Sequence, residues 1–464
     1  MTDGANQNSR AVRDQVLSFM KDHARPAGGK RAARPAVAPQ VNLAPAFTDL
    51  PEHKQIVAQA AAGDQLGIDN PFFRSHAGAA GATTVVDGRT LINFASYDYL
   101  GMNRHAEVLS AAKNAVDRYG ISASASRLVA GERPIHGELE SKIAGFYGVE
   151  SAIVFVSGYL TNVATIGTLL GPEDLVIHDE FIHNSALIGA KLSGSHRRLF
   201  RHNDMDDLER VLRSVTGRHR RVLVVVEGVY SMDGDVADLP RLIELRSQYG
   251  FWLMVDDAHA LGVIGDTGRG TAEYHGCNPR DVDIWMGTLS KTTASCGGYV
   301  AGSEALVTLL KGSAGGFIYS VGLAPALAAA AWTSLDLIDR EPERVARMRR
   351  NGHLFYELAR KRGLDTGVSV GCSVIPVIIG DSLRAAQLSN DLMATGINVM
   401  PIIHPAVPEG LARLRFFITS EHTPEQIDYA VTQTAEKLEA LVERNFGIGS
   451  VDIEAVLRRM AAEA

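Results

Sequence analysis

Five short stretches of this chain are apolar on consecutive residues: Ser151 to Val156, Leu175-Val176-Ile177, Val222 to Val226, Trp252 to Val255 and Ile284-Trp285-Met286. A strand with one face in water alternates apolar and polar residues. A run that is apolar throughout has to be covered on both faces. Segments with a helical period separate the runs, such as Asp207 to Val215 and Leu239 to Tyr249. Doubly buried strands alternating with helices specify an α/β architecture, a mostly parallel central sheet with helices on both sides. In such sheets ligands meet the carboxyl ends of the strands. The residues that follow each run are therefore the first candidates for chemistry.

The rest of the chain is organised around that core. Thr83-Thr84-Val85-Val86 and Leu91-Ile92-Asn93-Phe94, around Asp87-Gly88, read as a hairpin. A long helical stretch runs from Ala324 to about Arg362. A smaller α+β pattern follows from Val374 to Ala440, with strands at Val374 to Ile379 and Leu414 to Thr419. We expect a flexible N-terminal tail (1–45), an N-terminal segment (46–100), a large domain (101–335), a small C-terminal domain (336–445) and a C-terminal extension (446–464). Within the tail, Val12, Val16, Phe19 and Met20 fall near one face of a helix over Arg10 to Asp22. Arg25 to Pro45, rich in Ala, Pro, Gly and Arg, reads as a linker. The tail is expected to be poorly ordered, with docking to a partner or carrier protein as the alternative.

Composition excludes several classes. A net charge of −7 over 464 residues leaves no basic footprint for nucleic acid. Cys277, Cys296 and Cys372 are too far apart for a metal site and read as reduced thiols, so a cytoplasmic protein without a metal is expected. No positive-then-apolar leader opens the sequence. The most apolar stretch, Leu323 to Trp332, contains Pro325 and is too short to span a bilayer. It reads as a buried helix.

The strand ends carry the chemistry. Asp256 closes Trp-Leu-Met-Val, and Lys291 stands in Gly287-Thr288-Leu289-Ser290-Lys291 just after another run. A buried carboxylate needs a partner, and a buried lysine loses its proton more easily than one in water. Together they are what pyridoxal phosphate (PLP) requires: an amine to hold it as a Schiff base, and a carboxylate to keep its pyridine nitrogen protonated. His259, three residues after Asp256, is placed to hydrogen-bond the cofactor's phenolic oxygen. Thr288, three before Lys291, is placed toward its phosphate. Ser157-Gly158-Tyr159 follows the first run and opens a helix, where free N–H groups suit a phosphate. Glu227 closes Val-Val-Val-Glu and leads into Gly228 to Asp235, which alone would read as an acidic turn.

These residues carry a family resemblance. From about Asn70 to Leu441 the chain resembles the α-oxoamine synthase group of fold-type I PLP-dependent transferases, which have an aspartate aminotransferase-like fold. Serine palmitoyltransferase and 8-amino-7-oxononanoate synthase belong to this group. The motifs are Ser96-Tyr97-Asp98-Tyr99-Leu100-Gly101, Ser126 to Gly131, His136-Gly137-Glu138-Leu139-Glu140, Asp179 to Ser185, His202-Asn203-Asp204, Asp256-Asp257-Ala258-His259, Thr288 to Lys291, and Arg413-Leu414-Arg415 with His422-Thr423. The resemblance implies that His183 stacks on the pyridine ring, and that Ser157, Gly158 and Tyr159 sit at the phosphate. Glu227 and Ser231 would line the site, and Arg415 would clamp the substrate carboxylate. Ser320 would reach the phosphate in the neighbouring subunit of a homodimer. Three features depart from the common pattern. Tyr97 stands where many members have Asn, and Tyr there, in Ser-Tyr-x-Tyr-Leu-Gly, is more like serine palmitoyltransferases. Asp257 stands where Glu is usual, and Ser122 to Ala125 is poor in glycine.

The expected activity is a decarboxylative Claisen-type condensation of a small amino acid (serine, alanine or glycine) with an acyl thioester, releasing CO2 and thiol. The donor is acyl-CoA or an acyl carrier protein. Lys291, His183, Asp256 and His259 are the expected catalytic group, with Arg415 and Tyr97 on the substrate. The alternatives are an aminotransferase or lyase on the same scaffold, or a non-catalytic partner subunit, against which Lys291 itself argues.

Overall fold

The computed structural model describes residues 44–450. The expected helix over Arg10 to Asp22, the linker as far as residue 43 and the C-terminal extension from residue 451 lie outside the described residues. The described residues fall into two units, 44–70 with 444–450, and Pro71–Glu443. In the first, a 3-10 turn Phe47–Asp49 leads to helix Pro51–Gln65. Pro51 opens that helix, where a missing N–H is harmless. Among the described residues the second unit holds all the sheets.

β1 (Thr83–Val86) and β2 (Arg89–Asn93) form the expected antiparallel hairpin. Asp87 and Gly88 have φ of 50° and 74°, both left-handed, as a two-residue type I′ turn needs. The central sheet has seven strands: β3 (Ser151–Phe155), β4 (Leu175–Asp179), β5 (His196–Phe200), β6 (Val222–Glu227), β7 (Trp252–Asp256), β8 (Ile284–Thr288) and β9 (Gly298–Gly302), in the order β3-β9-β8-β7-β6-β4-β5. All neighbours from β5 to β8 are parallel, and only β9 runs against its two neighbours. Alternate residues of the apolar runs go to opposite faces. Ile177, Val224, Val226, Leu253, Val255 and Trp285 enter one core, and Val176, Leu223, Val225, Met254, Ile284 and Met286 the other.

Two of these strands have no counterpart among the apolar runs. β5, His-Arg-Arg-Leu-Phe, is an edge strand exposed from His196 to Leu199. Charge on an edge deters pairing with another chain. β9, Gly-Tyr-Val-Ala-Gly, is buried throughout, but its glycines weaken the strand signal. Gly298 is required there, because a Cβ would come within 2.6 Å of the Gly158 Cα. The helical stretch after Ala324 is two helices, Pro325–Arg340 and Pro342–Lys361. Pro342 has no N–H to continue the first and so starts the second. The first helix buries Ala328 to Ala331, Leu335 and Ile338, which makes the apolar stretch before Trp332 part of a buried helix.

Beyond these lie β10 (Val374–Gly380), β11 (Ile397–Asn398), β12 (Met400–Ile402) and β13 (Ala412–Phe417). β10, β13 and β12 form an antiparallel sheet in that order, with helix Ser382–Ala394 packed on it. β11 leaves that sheet and pairs in parallel with β2. β13 starts two residues earlier than the sequence pattern suggested, which places both Arg413 and Arg415 inside the strand. Among the described residues no helix is long and apolar enough to cross a membrane.

Candidate active site

The polar residues at the strand ends converge. Asp179 ends β4, Glu227 ends β6, Asp256 ends β7 and Thr288 ends β8, with Lys291 in the loop beyond. Glu227 and Asp256 are register partners across β6 and β7. The parallel ladder therefore sets two carboxyl groups side by side in a buried place.

Asp256 is buried and accepts two hydrogen bonds, from the Ala258 N–H at 3.1 Å and from Asn162 Nδ2 at 2.9 Å. It has no ion-pair partner among the described residues. Asn162 also donates to Ser185 Oγ at 2.9 Å, and Ser185 Oγ lies 2.7 Å from His183 Nδ1. One amide thus orients both the carboxylate expected under the pyridine nitrogen and, through Ser185, the imidazole expected over the ring. Sequence reasoning missed Asn162. It is a polar residue inside an otherwise ordinary helix, Gly158–Leu169, and its partners lie 23 and 94 residues away. His183 caps helix Asn184–Ser193, its Nδ1 accepting the Ser185 N–H at 3.3 Å. Partial burial and the cations Lys291 and Arg415 hold its pKa below the usual value, against the pull of Asp256.

Lys291 Nζ has no hydrogen-bond or ion-pair partner among the described residues. Nζ lies over the Tyr97 ring, whose centroid is 5.8 Å away. Burial pulls its pKa down to about 8, with Arg415 acting in the same direction, while Asp256 and Glu227 oppose them. Glu227 is pushed up to about 8, first by burial and then by Asp256. One of its oxygens accepts the Ser231 N–H at 2.9 Å, and the other is buried without a partner. At neutral pH it is therefore a carboxylic acid with an O–H to donate.

His259 is buried, and its Nδ1 lies 2.7 Å from the Tyr99 hydroxyl. Burial, with Lys291 and Arg415 nearby, pushes the imidazole well below its usual pKa, so the ring is neutral. Burial also keeps the Tyr99 phenol protonated. The neutral phenol and the neutral ring share this hydrogen bond, and Nε2 is the ring nitrogen left for the cofactor. Tyr99 is a second residue that the sequence reading quoted in a motif without giving it a role. Tyr97, 38% exposed, packs edge-on against Phe417 with ring centroids 4.6 Å apart, at the mouth above Lys291.

The two arginines of Arg-Leu-Arg separate cleanly. Arg413 is buried and committed, with Nη1 2.5 Å from Asp233. Arg415 has no acidic partner among the described residues. Its Nη1 donates to the Ser231 carbonyl at 2.8 Å, and its Nε is buried with no acceptor. A guanidinium left in that state suits a carboxylate arriving from outside.

At the other end, Ser157 caps helix Gly158–Leu169 by accepting from the Leu160 N–H at 3.1 Å. The N–H groups of Gly158 and Tyr159 meet no acceptor among the described residues. Thr288 is buried against this turn, where a Cβ on Gly158 would come within 2.9 Å of its hydroxyl. That hydroxyl lies 3.0 Å from the Gly297 carbonyl and donates to it, which closes the loop that carries Lys291. Ser320 follows the short helix Gly315–Ile318, and no recorded bond ties it to this group within one chain. Asp257, next to Asp256, points the other way. It accepts from the Thr271 hydroxyl at 2.5 Å, and its pKa is pushed up to about 7, chiefly by burial.

Three observations fit PLP: a buried carboxylate with amide donors but no cation, an unpartnered lysine in reach of it, and unclaimed N–H groups at a helix start nearby. The profile of the aminotransferase class I and II family matches residues 89–433. The 8-amino-7-oxononanoate synthase of Symbiobacterium thermophilum is 41% identical over 353 residues, which is 76% of this chain and 90% of that protein. 8-Amino-7-oxononanoate synthase 1 of Bacillus subtilis is 39% identical over 364 residues, 78% of this chain and 92% of that one. Among solved structures, Sphingomonas wittichii serine palmitoyltransferase superposes with a TM-score of 0.81 at 29% identity, covering 85% of this chain and 99% of that one. The 8-amino-7-oxononanoate synthase of Francisella tularensis gives 0.66 at 26% identity, covering 75% and 98%.

Proposed function

The chain belongs to the α-oxoamine synthases, PLP-dependent acyltransferases within the class I and II aminotransferase family, and from the site geometry we propose that Lys291, Asp256 and Arg415 are the groups on which its reaction runs. That reaction is the decarboxylative condensation of a small amino acid with an acyl thioester, releasing CO2 and thiol. One observation carries the assignment of residues. A carboxylate, an amine and a guanidinium, each without a counter-ion among the described residues, lie within electrostatic reach of one another.

Asp256 would face the pyridine nitrogen, His259 the phenolic oxygen and His183 the ring face. Ser157, Gly158, Tyr159 and Thr288 would hold the phosphate end, with Glu227 and Ser231 at the side. When bound, the cofactor supplies an electron sink for the carbanion at the amino acid's α-carbon. Arg415 binds the substrate carboxylate with two parallel N–H donors and fixes the α-carbon. Lys291, with its pKa near 8, is in part neutral at physiological pH and takes the α-proton at Nζ. Asp256 keeps a proton on the ring nitrogen. Glu227, neutral beside it, presents a donor without adding charge.

Two outcomes follow from these roles. Arg415→Lys keeps the charge but loses the planar fork. The KM for the amino acid should rise by about ten- to a hundredfold, with kcat changed far less. An unchanged KM would remove Arg415 from the carboxylate. Capture of PLP by cofactor-free protein needs Lys291 unprotonated, so its rate should climb as the pH is raised toward about 8 and level off above it. Stopped-flow absorbance reads this, and a rate flat from pH 6 to 9 would contradict the lowered lysine pKa.

The reading extends to an amino acid drawn from serine, alanine and glycine, and to a CoA or carrier-protein thioester. Thiol and CO2 release, measured for each amino acid with each kind of donor, tests it. Transamination alone would yield neither product and would return the protein to the aminotransferase alternative. We also place it as a cytoplasmic homodimer. Its three cysteines are unpaired. Ile121, Leu128, Val129 and Tyr319 are all more than 60% exposed, and their segments are joined by a hydrogen bond from the Gly322 N–H to the Ala125 carbonyl. Such an apolar surface suits a second copy, and it would bring the segment of Ser320 to that copy. Sedimentation at the mass of one chain would refute the dimer. The division into 101–335 and 336–445 is proposed on the same footing, since β3 to β9 fall in the first range and β10 to β13 in the second.

A further inference from the structure

His202 belongs to a motif, His202-Asn203-Asp204, that touches none of the groups assigned above. Its side chain is only 15% exposed. Nδ1 lies 2.9 Å from Asp179 Oδ1, and Nε2 lies 3.1 Å from Asp235 Oδ2. The first contact is a directed hydrogen bond, whereas the second is close but poorly aligned and acts mainly through charge. The ring stacks on Phe181 with centroids 4.5 Å apart and meets Tyr230 edge-on at 4.5 Å. Asn203 repeats the link: its N–H donates to Asp179 Oδ2 at 2.8 Å, and its Nδ2 donates to Asp235 Oδ2 and to the Val236 carbonyl, each at 2.9 Å. Asn203 does so with φ at 50°, in the left-handed region that Asn tolerates better than most residues.

The charges around the ring decide its state. Asp179 at the end of β4 and Asp235 in the β6 loop are both in contact with it. Tyr230 faces it with a buried phenol, and Glu227 stands beyond. Arg201, the neighbouring cation, is turned outward to Asp204 and Asp207. Burial opposes a charge on His202, but the hydrogen bond to Asp179 and the nearness of both carboxylates prevail and raise its pKa to about 10.

What this cation holds is the turn from Tyr230 to Asp235. The turn is closed by the Tyr230 N–H on the Asp235 carbonyl at 2.9 Å and by the Gly234 N–H on the Tyr230 carbonyl at 2.8 Å. On its other side the same turn receives both arginines of β13, Arg415 on the Ser231 carbonyl and Arg413 on Asp233. Asp179 also accepts the Phe181 N–H at 2.8 Å, two residues before His183.

We propose that His202 is a positioning residue of the substrate site: as an imidazolium between Asp179 and Asp235 it locks the Tyr230–Asp235 turn to the end of β4, and so fixes where Arg415 meets the amino acid. The inference rests on the carboxylate role given to Arg415. A merely structural ion pair would leave the substrate terms alone.

The test uses the holoenzyme and two independent variants, His202→Gln and Asp235→Asn. Each should raise the KM for the amino acid by about tenfold while kcat moves by less than about threefold, with cofactor absorbance retained. Amide exchange should quicken at residues 230–236 and not in helix Leu239–Tyr249. Loss of stability with an unchanged KM and unchanged exchange would overturn the proposal. Should neither variant fold, wild-type protein labelled in its histidine rings decides. His202 is expected to stay protonated to about pH 9, and a neutral ring at about pH 8 would overturn the clamp. If Arg415→Lys leaves KM unchanged, the role of Arg415 fails, whereas the ring titration and amide exchange still judge His202 on their own.

Discussion

Lys291→Ala should reduce turnover to background, a loss of about 10⁴-fold or more, while the protein stays folded. The loss is large because the amine is both the attachment point for the cofactor and the base nearest the α-carbon, and no other group in the cleft can replace it. His183 and His259 have pKa values below the usual imidazole value, Glu227 is neutral, and Asp256 is committed to Asn162 and Ala258. The fold should survive because Nζ has no hydrogen-bond partner among the described residues, so truncation orphans none of their buried donors or acceptors. The change in stability should be within about 1 kcal/mol. Circular dichroism and a thermal melt separate the two effects from turnover. PLP should still enter without covalent attachment, its absorbance shifted to that of a free aldehyde. A fully active Lys291→Ala protein would sink both the assignment of the lysine and the mechanism built on it. An inactive wild-type protein that takes up no PLP would instead revive the non-catalytic partner subunit.

The legible part of this site was legible for one physical reason. In a parallel sheet, function gathers at the carboxyl ends of strands, and a strand buried on both faces shows itself as an uninterrupted apolar run. Asp256 and Glu227 can be picked out because each ends such a run, and Thr288 and Lys291 because they follow another. What stayed hidden is what depends on contacts across the chain. Asn162 orients Asp256 from 94 residues away, and Tyr99 holds the His259 ring by its Nδ1 across 160. Nothing in the local sequence around either residue distinguishes it from a helix or loop polar residue. Arg413 and Arg415 are likewise equivalent by pattern, two residues apart on one face of a strand, and the resemblance alone chose between them. The fold separates them physically, since Asp233 consumes Arg413. The missed strands have the complementary explanation. β5 is polar because it is an edge, and β9 is glycine-rich because Gly158 presses against it. Neither pressure leaves an apolar run.

The same geometry makes Asp256→Asn the sharpest test of how the cofactor would be activated. The substitution is nearly isosteric, and its hydrogen bonds can be rebuilt. Asp256 now accepts from the Ala258 N–H and from Asn162 Nδ2. An amide oxygen can keep the first, which turns its NH2 toward Asn162. The Asn162 oxygen is buried and unpartnered, so a half-turn of that side chain offers the new amide an acceptor and gives up one hydrogen bond, from Asn162 to Ser185, while Ser185 keeps its contact with His183. Packing therefore changes little, and the melting temperature should stay within a few degrees. The charge is what is lost. A neutral amide cannot hold a proton on a pyridine nitrogen, so the ring would accept electrons from the α-carbon poorly, and kcat should fall by about a thousandfold. Binding of the amino acid through Arg415 does not involve Asp256, so KM should move far less than kcat. The reverse pattern, a raised KM with kcat within about threefold of wild type, would mean that Asp256 only shapes the pocket. The electrostatic role would then have to pass to Glu227, its register partner on β6, which at neutral pH carries a proton and no charge.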